Sequence, residues 1–220
     1  MEKDLEVIKK CPLFWEIEDS HLQALLKCLT AVQHSYTKNE FIFSRGENVQ
    51  SVGIVLLGTA HILQEDYWGN RTILEHVEPG GLFGEAFSCA EIDNLPISVI
   101  AAEAMEVLFI DYRRIITTCS SSCMFHMVLI KNMVKILAQK NIMLTQKMEI
   151  ITHRTTRKRL MAYLSSQAIK TGKKRFMIPF NRQELADFLS VERSAMSAEL
   201  SQMQTDGLIR TRKNEFELLE

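Results

Sequence analysis

No run in the 220 residues comes near the roughly 18 consecutive apolar residues that a membrane-crossing helix needs, which predicts no membrane partner. The opening MEKDLEVIKK lacks the apolar segment of a secretion signal, so a cytoplasmic chain is expected. Cysteine is sparse: Cys11, Cys28, Cys89, Cys119 and Cys123 are odd in number, dispersed and never paired as CxxC. That argues against a disulfide framework and leaves a zinc or iron–sulfur cage without ligands. Cys119 and Cys123 stand four apart and can share a helix face. Reduced, partly buried thiols are the expected reading and a redox switch or metal site the alternative. No HxH pair occurs, which argues against a cupin-type metal oxygenase, and neither a nucleotide-cradling glycine loop nor a Ser/His/Asp arrangement stands out. Neither an enzyme nor a metal site is expected.

Glycine and proline are both missing from 122 to 151, and what fills that gap is regular. Cys123, Met127, Ile130, Val134, Leu137, Asn141, Leu144, Met148 and Ile151 follow one another in unbroken steps of 4 and 3. So narrow and sustained a seam predicts a parallel two-stranded coiled coil, a homodimer contact from Met127 to Met148. Asn141 falls at an a position, where one polar residue weakens the seam but fixes its register. The competing reading is an amphipathic helix packed within its own chain. Upstream, residues 2 to 31 read as helical, with Asp19 or Ser20 capping a second piece that lines up Leu22, Leu25, Leu26 and Leu29. From Tyr36 to Ile110 short apolar runs alternate with turn signals, among them WGN at 68–70, and seven of the nine glycines lie between Gly46 and Gly84. Many short strands at regular spacing predict an antiparallel barrel or roll.

Residues 151 to 220 hold 13 Lys plus Arg against 8 Asp plus Glu, whereas the first 150 hold 13 against 19. A positive C-terminal third on an acidic body points to a polyanion partner. ITHRTTRKRL (151–160) breaks the seam, and Thr152, Thr155 or Thr156 can cap a helix that ends before Gly172. Asn181 with Glu184 three residues on forms a capping pair, followed by inward Leu185, Ala186, Phe188 and Leu189. A three-residue joint, SVE (190–192), leads to a second helix that buries Met196, Leu200 and Met203. Its outward face carries Arg193, Ser194, Ser197 and Ala198, lean enough to approach base edges closely. Two short strands around Lys213–Asn214 complete a winged helix-turn-helix.

RQELADFL, RSAMSAEL and DGLI resemble, without a gap from Asn181 to Ile209, the DNA-binding domain of the bacterial Crp/Fnr family. FSRGE (43–47), LLGTAHI (56–62) and EPGGLFGE (78–85) resemble its sensor domain in the same order. The resemblance implies an α+β fold in three parts. These are an effector-sensing antiparallel β-roll (double-stranded β-helix) with N-terminal helices at 1–118, a long dimerisation helix at 119–151, and a winged helix-turn-helix at 152–220. It implies a cytoplasmic homodimer that reads a palindromic operator in double-stranded DNA, with RNA polymerase as a partner if it activates. Arg193, Ser194 and Ser197 would face bases or phosphates, while Asn181, Arg182 and Gln183 would hold phosphates and Lys213 would extend the contact from the wing. Ala198 departs from the arginine common there, and offers only a methyl for thymine. That departure keeps a second reading open, an effector-binding adaptor that has lost specific DNA binding.

The resemblance also places an effector pocket at Gly84 and Glu85, walled by Ile62, Leu74, Leu82, Leu95, Pro96 and Ile97, with Leu144 and Thr145 from the long helix. Members that bind cyclic nucleotides hold the phosphate with an arginine and a serine where this chain has Leu95 and Pro96, and no Lys or Arg lies between Arg71 and Arg113. A buried phosphate would be poorly compensated, so cyclic AMP is disfavoured. The apolar wall favours a neutral or weakly polar effector, or haem, or none, with His61 and His76 the candidate haem or metal ligands. Strand histidines are, however, more often structural.

Overall fold

In β3 (Ser51–Leu57) every residue from Val52 to Leu56 is buried. Val52, Ile54 and Leu56 turn to one core, while Val55 turns to another, so this strand separates two apolar layers. The period of two along a strand is what allows it to face both. The computed structural model describes residues 2–117 and 124–219. The chain divides into two units, Met1–Gln64 with Leu74–Asn141, and Glu65–Ile73 with Ile142–Glu220.

The first unit is the antiparallel roll. One sheet orders as β1 (Val32–Tyr36), β8 (Met105–Asp111), β3 and β6 (Leu82–Phe83). The other orders as β2 (Phe41–Phe43), β7 (Ser98–Ala101), β4 (Ala60–Glu65) and β5 (Arg71–Val77). Ile42, Phe43, Val55, Ile62, Val99 and Val107 belong to the core that these strands share. Gly53 is required there: a Cβ on it would lie 2.2 Å from the Phe83 ring. The second core lies under the helices, where Ile8 of α1 (Glu2–Lys10) and Leu22 and Leu25 of α2 (Asp19–Cys28) meet Ile54 and Ile110. The expected cap of α2 by Asp19 or Ser20 is not formed. Glu18 is the N-cap residue, without a side-chain cap bond, and Ser20 Oγ bonds to Glu18 instead. Short helices α3 (Glu85–Cys89) and α4 (Tyr112–Ile116) follow β6 and β8. Cys11 is buried, and desolvation pushes its thiol up to about 12. Cys89 is half-buried and Cys28 exposed, while Cys119 and Cys123 lie outside the described residues.

The rod is α5 (Met124–Thr152), and it carries two apolar stripes rather than one. Met127, Val134 and Met148 of the expected seam are 65%, 62% and 61% exposed within the single chain. Asn141 and Leu144 are also exposed, with Ile130 and Leu137 intermediate. One residue before each seam position runs a second heptad set, in which His126, Leu129, Met133, Ile136 and Lys147 are buried. Leu129, Met133 and Ile136 join the core under the helices. The in-chain packing and the outward seam thus coexist, about 100° apart around one helix.

The second unit is a winged helix. α6 (Thr156–Thr171) is capped by Thr155, whose Oγ1 accepts from the Lys158 amide at 3.3 Å, and ends at left-handed Gly172. β9 (Arg175–Met177) pairs with β11 (Glu215–Leu218), and β11 with β10 (Ile209–Arg212). Leu160, Leu164, Phe176 and Phe216 pack with Leu185 and Leu189 of α7 (Arg182–Leu189) and with Met196, Leu200 and Met203 of α8 (Arg193–Thr205).

Candidate nucleic-acid interface and sensor site

The start of α7 is built by reciprocal capping. Asn181 Oδ1 accepts from the Gln183 and Glu184 amides at 2.9 and 3.0 Å, and the Glu184 carboxylate accepts from the Asn181 amide at 2.8 Å. Asn181 and Gln183 stay at the surface, and Gln183 donates to Asp187 at 2.8 Å. Arg182 is placed differently. Its guanidinium lies over the Phe216 ring at 5.1 Å and donates through Nη2 to Thr211 Oγ1 at 2.9 Å, while its buried Nη1 has no hydrogen-bond partner among the described residues.

Left-handed Ser190 opens the joint between α7 and α8. Arg159 holds that joint, donating to the carbonyls of Leu189 at 3.1 Å and Ser190 at 2.7 Å. Arg157 ties the body of α8 to α6 through Glu199 at 2.6 Å and Asp206 at 2.7 Å. Neither arginine was singled out by sequence; both sit in the basic stretch that reads only as a domain boundary. Arg193, Ser194, Ser197 and Ala198 are all exposed, opposite buried Met196 and Leu200. Glu192 caps α8 and accepts the Ser194 hydroxyl at 3.1 Å, which occupies one of the few donors on that face. Lys213 is exposed at the wing turn, in a left-handed conformation.

In the roll, Gly84 is left-handed, at φ 82°, and a Cβ on it would lie 2.9 Å from the Phe43 ring. This turn points Glu85 into the protein, where it is 2% exposed. Ile62, Leu95 and Ile97 join the roll core, with Leu74 packed against it, whereas Leu82 turns its side chain to the core under the helices. Pro96 is exposed, and Leu144 and Thr145 are exposed positions of α5 in the second unit. A residue absent from the sequence expectation completes the corner. Lys140 Nζ lies 2.9 Å from Glu85 Oε1, 3.1 Å from Glu75 Oε2 and 2.7 Å from the Leu82 carbonyl. Burial disfavours the ammonium, but Glu85 and Glu75 outweigh it and raise its pKa.

His61 and His76 meet across β4 and β5, with Nε2 of the first 3.0 Å from Nδ1 of the second. His61 is buried, and desolvation together with His76 lowers its pKa to about 4. The two rings therefore turn nitrogens to each other. Among the described residues no three His, Cys, Asp or Glu side chains converge as metal ligands.

The sequence matches the cyclic nucleotide-binding domain over residues 33–122 and the Crp-like helix-turn-helix domain over residues 158–220. The fold is similar to the c-di-GMP responsive global regulator CLP of Xanthomonas campestris, at 18% identity, with TM-score 0.75 over 92% of this chain and 100% of that one. It is also similar to a CooA mutant from Carboxydothermus hydrogenoformans, at 19% identity, with TM-score 0.72 over 90% of this chain and 86% of that one. FixK2 from Bradyrhizobium japonicum is similar at 18% identity, with TM-score 0.67 over 86% and 93% of the two chains. At these identities the likeness speaks for the fold alone. No protein of curated function matches the sequence.

Proposed function

Because the chain belongs to the Crp/Fnr family of transcription regulators, we propose that it is a dimeric, sequence-specific DNA-binding regulator governed by a small effector other than cyclic AMP. One observation carries this reading: α8 presents Arg193, Ser194, Ser197 and Ala198 to solvent while its inner face is packed and Arg157 grips its flank. A helix held so firmly with a lean outer face suits insertion into a major groove. Lys213 on the wing and Gln183 at the start of α7 then meet phosphates. The exposed seam positions Met127, Val134, Asn141, Leu144 and Met148 support a parallel dimer, which sets two recognition helices one duplex turn apart. In this reading 1–118 senses, 119–151 dimerises and 152–220 binds DNA in the cytoplasm, with RNA polymerase a partner if the outcome is activation.

The effector reading rests on charge. Leu95 and Pro96 offer no cation, and all three Lys140 N–H donors are engaged. Effector binding biases the packing of α5, and the seam relays this to the DNA-binding units. Replacing Asn141 with Leu is expected to tighten the dimer about tenfold or more and to loosen effector control. Analytical ultracentrifugation and DNA titration check this, and no change in either would sink the role of Asn141.

Selection of bound sequences from random duplexes, with and without cell-extract metabolites, tests the whole reading. A palindrome is expected, with a steep salt dependence. Arg193→Ala is then expected to cost about 1–3 kcal/mol in binding, read by fluorescence anisotropy. Absence of any selected sequence would favour the adaptor reading, which Ala198 and the occupied Ser194 hydroxyl support.

A further inference from the structure

We propose that the acidic corner of Glu75 and Glu85 is a cation subsite occupied by the chain's own Lys140, and that the effector operating the sensor is a small primary ammonium compound that competes with this lysine. The inference deepens the regulator reading and rests on it for the word effector. Three observations carry it. An ammonium group has three donors, and Lys140 directs them at Glu85, Glu75 and the Leu82 carbonyl, all within 3.1 Å. None remains to receive a phosphate or carboxylate. Glu85 is 2% exposed, yet its Oε2 has no hydrogen-bond partner among the described residues. A buried carboxylate oxygen without a donor is costly, so what this corner lacks is a donor.

The third observation is that the neighbouring loop cannot reverse the sign of the site. Leu95 is buried, with its amide given to the Glu47 carbonyl at 2.9 Å and its carbonyl to the Gly46 amide at 2.8 Å, and Pro96 has no N–H. An anion would meet two carboxylates and a saturated lysine. A primary ammonium compound brings the missing donors and matches the charge that Lys140 now matches. The consequence for control is direct. Lys140 precedes seam residue Asn141, so a ligand that displaces the lysine releases α5 from Glu85, Glu75 and Leu82 next to the dimer contact.

The test is chemical rescue in the full-length chain. Lys140→Ala is expected to lower the melting temperature by roughly 5 °C or more. Ethylammonium chloride should restore it saturably, whereas tetramethylammonium chloride, which has no N–H, and sodium chloride at equal ionic strength should not. Lys140→Ala combined with Glu85→Gln is expected to fold without ethylammonium and to ignore it. In the wild-type chain, ethylammonium should change affinity for the selected duplex at least about twofold through linkage. Equal responses to ethylammonium and sodium chloride in Lys140→Ala, or rescue that persists in the double variant, would overturn the proposal. So would stabilisation of the wild type by cyclic AMP. Duplex selection on the unmodified chain tests the regulator reading alone, so either can fail without the other.

Discussion

In the proposed dimer, Val134→Glu is expected to separate the two copies and to weaken binding to a symmetric duplex by about 10²–10⁴-fold, the loss that follows when two linked contacts become independent. Val134 is 62% exposed in the single chain, so a carboxylate there disturbs nothing that the chain packs against itself. In a parallel pair it would face its own copy across an apolar seam, where two like charges cannot both stay hydrated. Sedimentation equilibrium should report a monomer, and anisotropy should show half-site affinity retained while the palindrome loses its advantage. The neighbouring substitution makes the control. Met133 is 3% exposed and sits in the core under the helices, so Met133→Glu should instead unfold the first unit. A Val134→Glu protein that remains dimeric and binds the palindrome normally would remove the seam from the mechanism.

These two adjacent residues also mark where the sequence could be read and where it could not. The outward stripe was legible because its apolar steps of 4 and 3 are unbroken. The buried stripe one residue earlier has the same spacing but contains His126, Lys140 and Lys147, so it reads as a solvated face. Lys140 becomes meaningful only when the fold delivers Glu75, 65 residues away, and Glu85 to its ammonium. The winged unit was legible for local reasons: a capping box, a three-residue joint and helical periodicity all lie within one short stretch. The stacking of Arg182 on Phe216 was not, since it depends on where the wing folds. Arg159 is similar, because its targets are backbone carbonyls and leave no trace in side-chain chemistry. In the roll, glycine-punctuated short runs announced the strands, but the meeting of His61 and His76 depends on hairpin register, which periodicity alone does not fix.

Lowering the pH from 7 to 5 is expected to cost the first unit about 2 kcal/mol through His61 alone. The folded chain holds this ring at about 4, chiefly because burial penalises the imidazolium and secondarily because His76 lies beside it. An unfolded histidine titrates near 6.5, so between about 6.5 and 4 the unfolded chain binds the extra proton and the fold does not. The stabilisation is therefore present above about pH 6.5, is lost as the pH falls, and reaches its floor below about pH 4. The pair tolerates one shared proton on the 3.0 Å line between its nitrogens. A second proton on that line would set two N–H groups against each other, and Glu78 lies 3.9 Å from the far nitrogen of His76. Urea unfolding at pH 7, 6 and 5, followed by circular dichroism, measures the slope. His61→Gln keeps a polar partner for His76 and removes the titration, so its stability should fall by about 2 kcal/mol less over the same interval. An acid slope equal to that of the wild type would assign the loss to other groups and leave the histidine pair as packing.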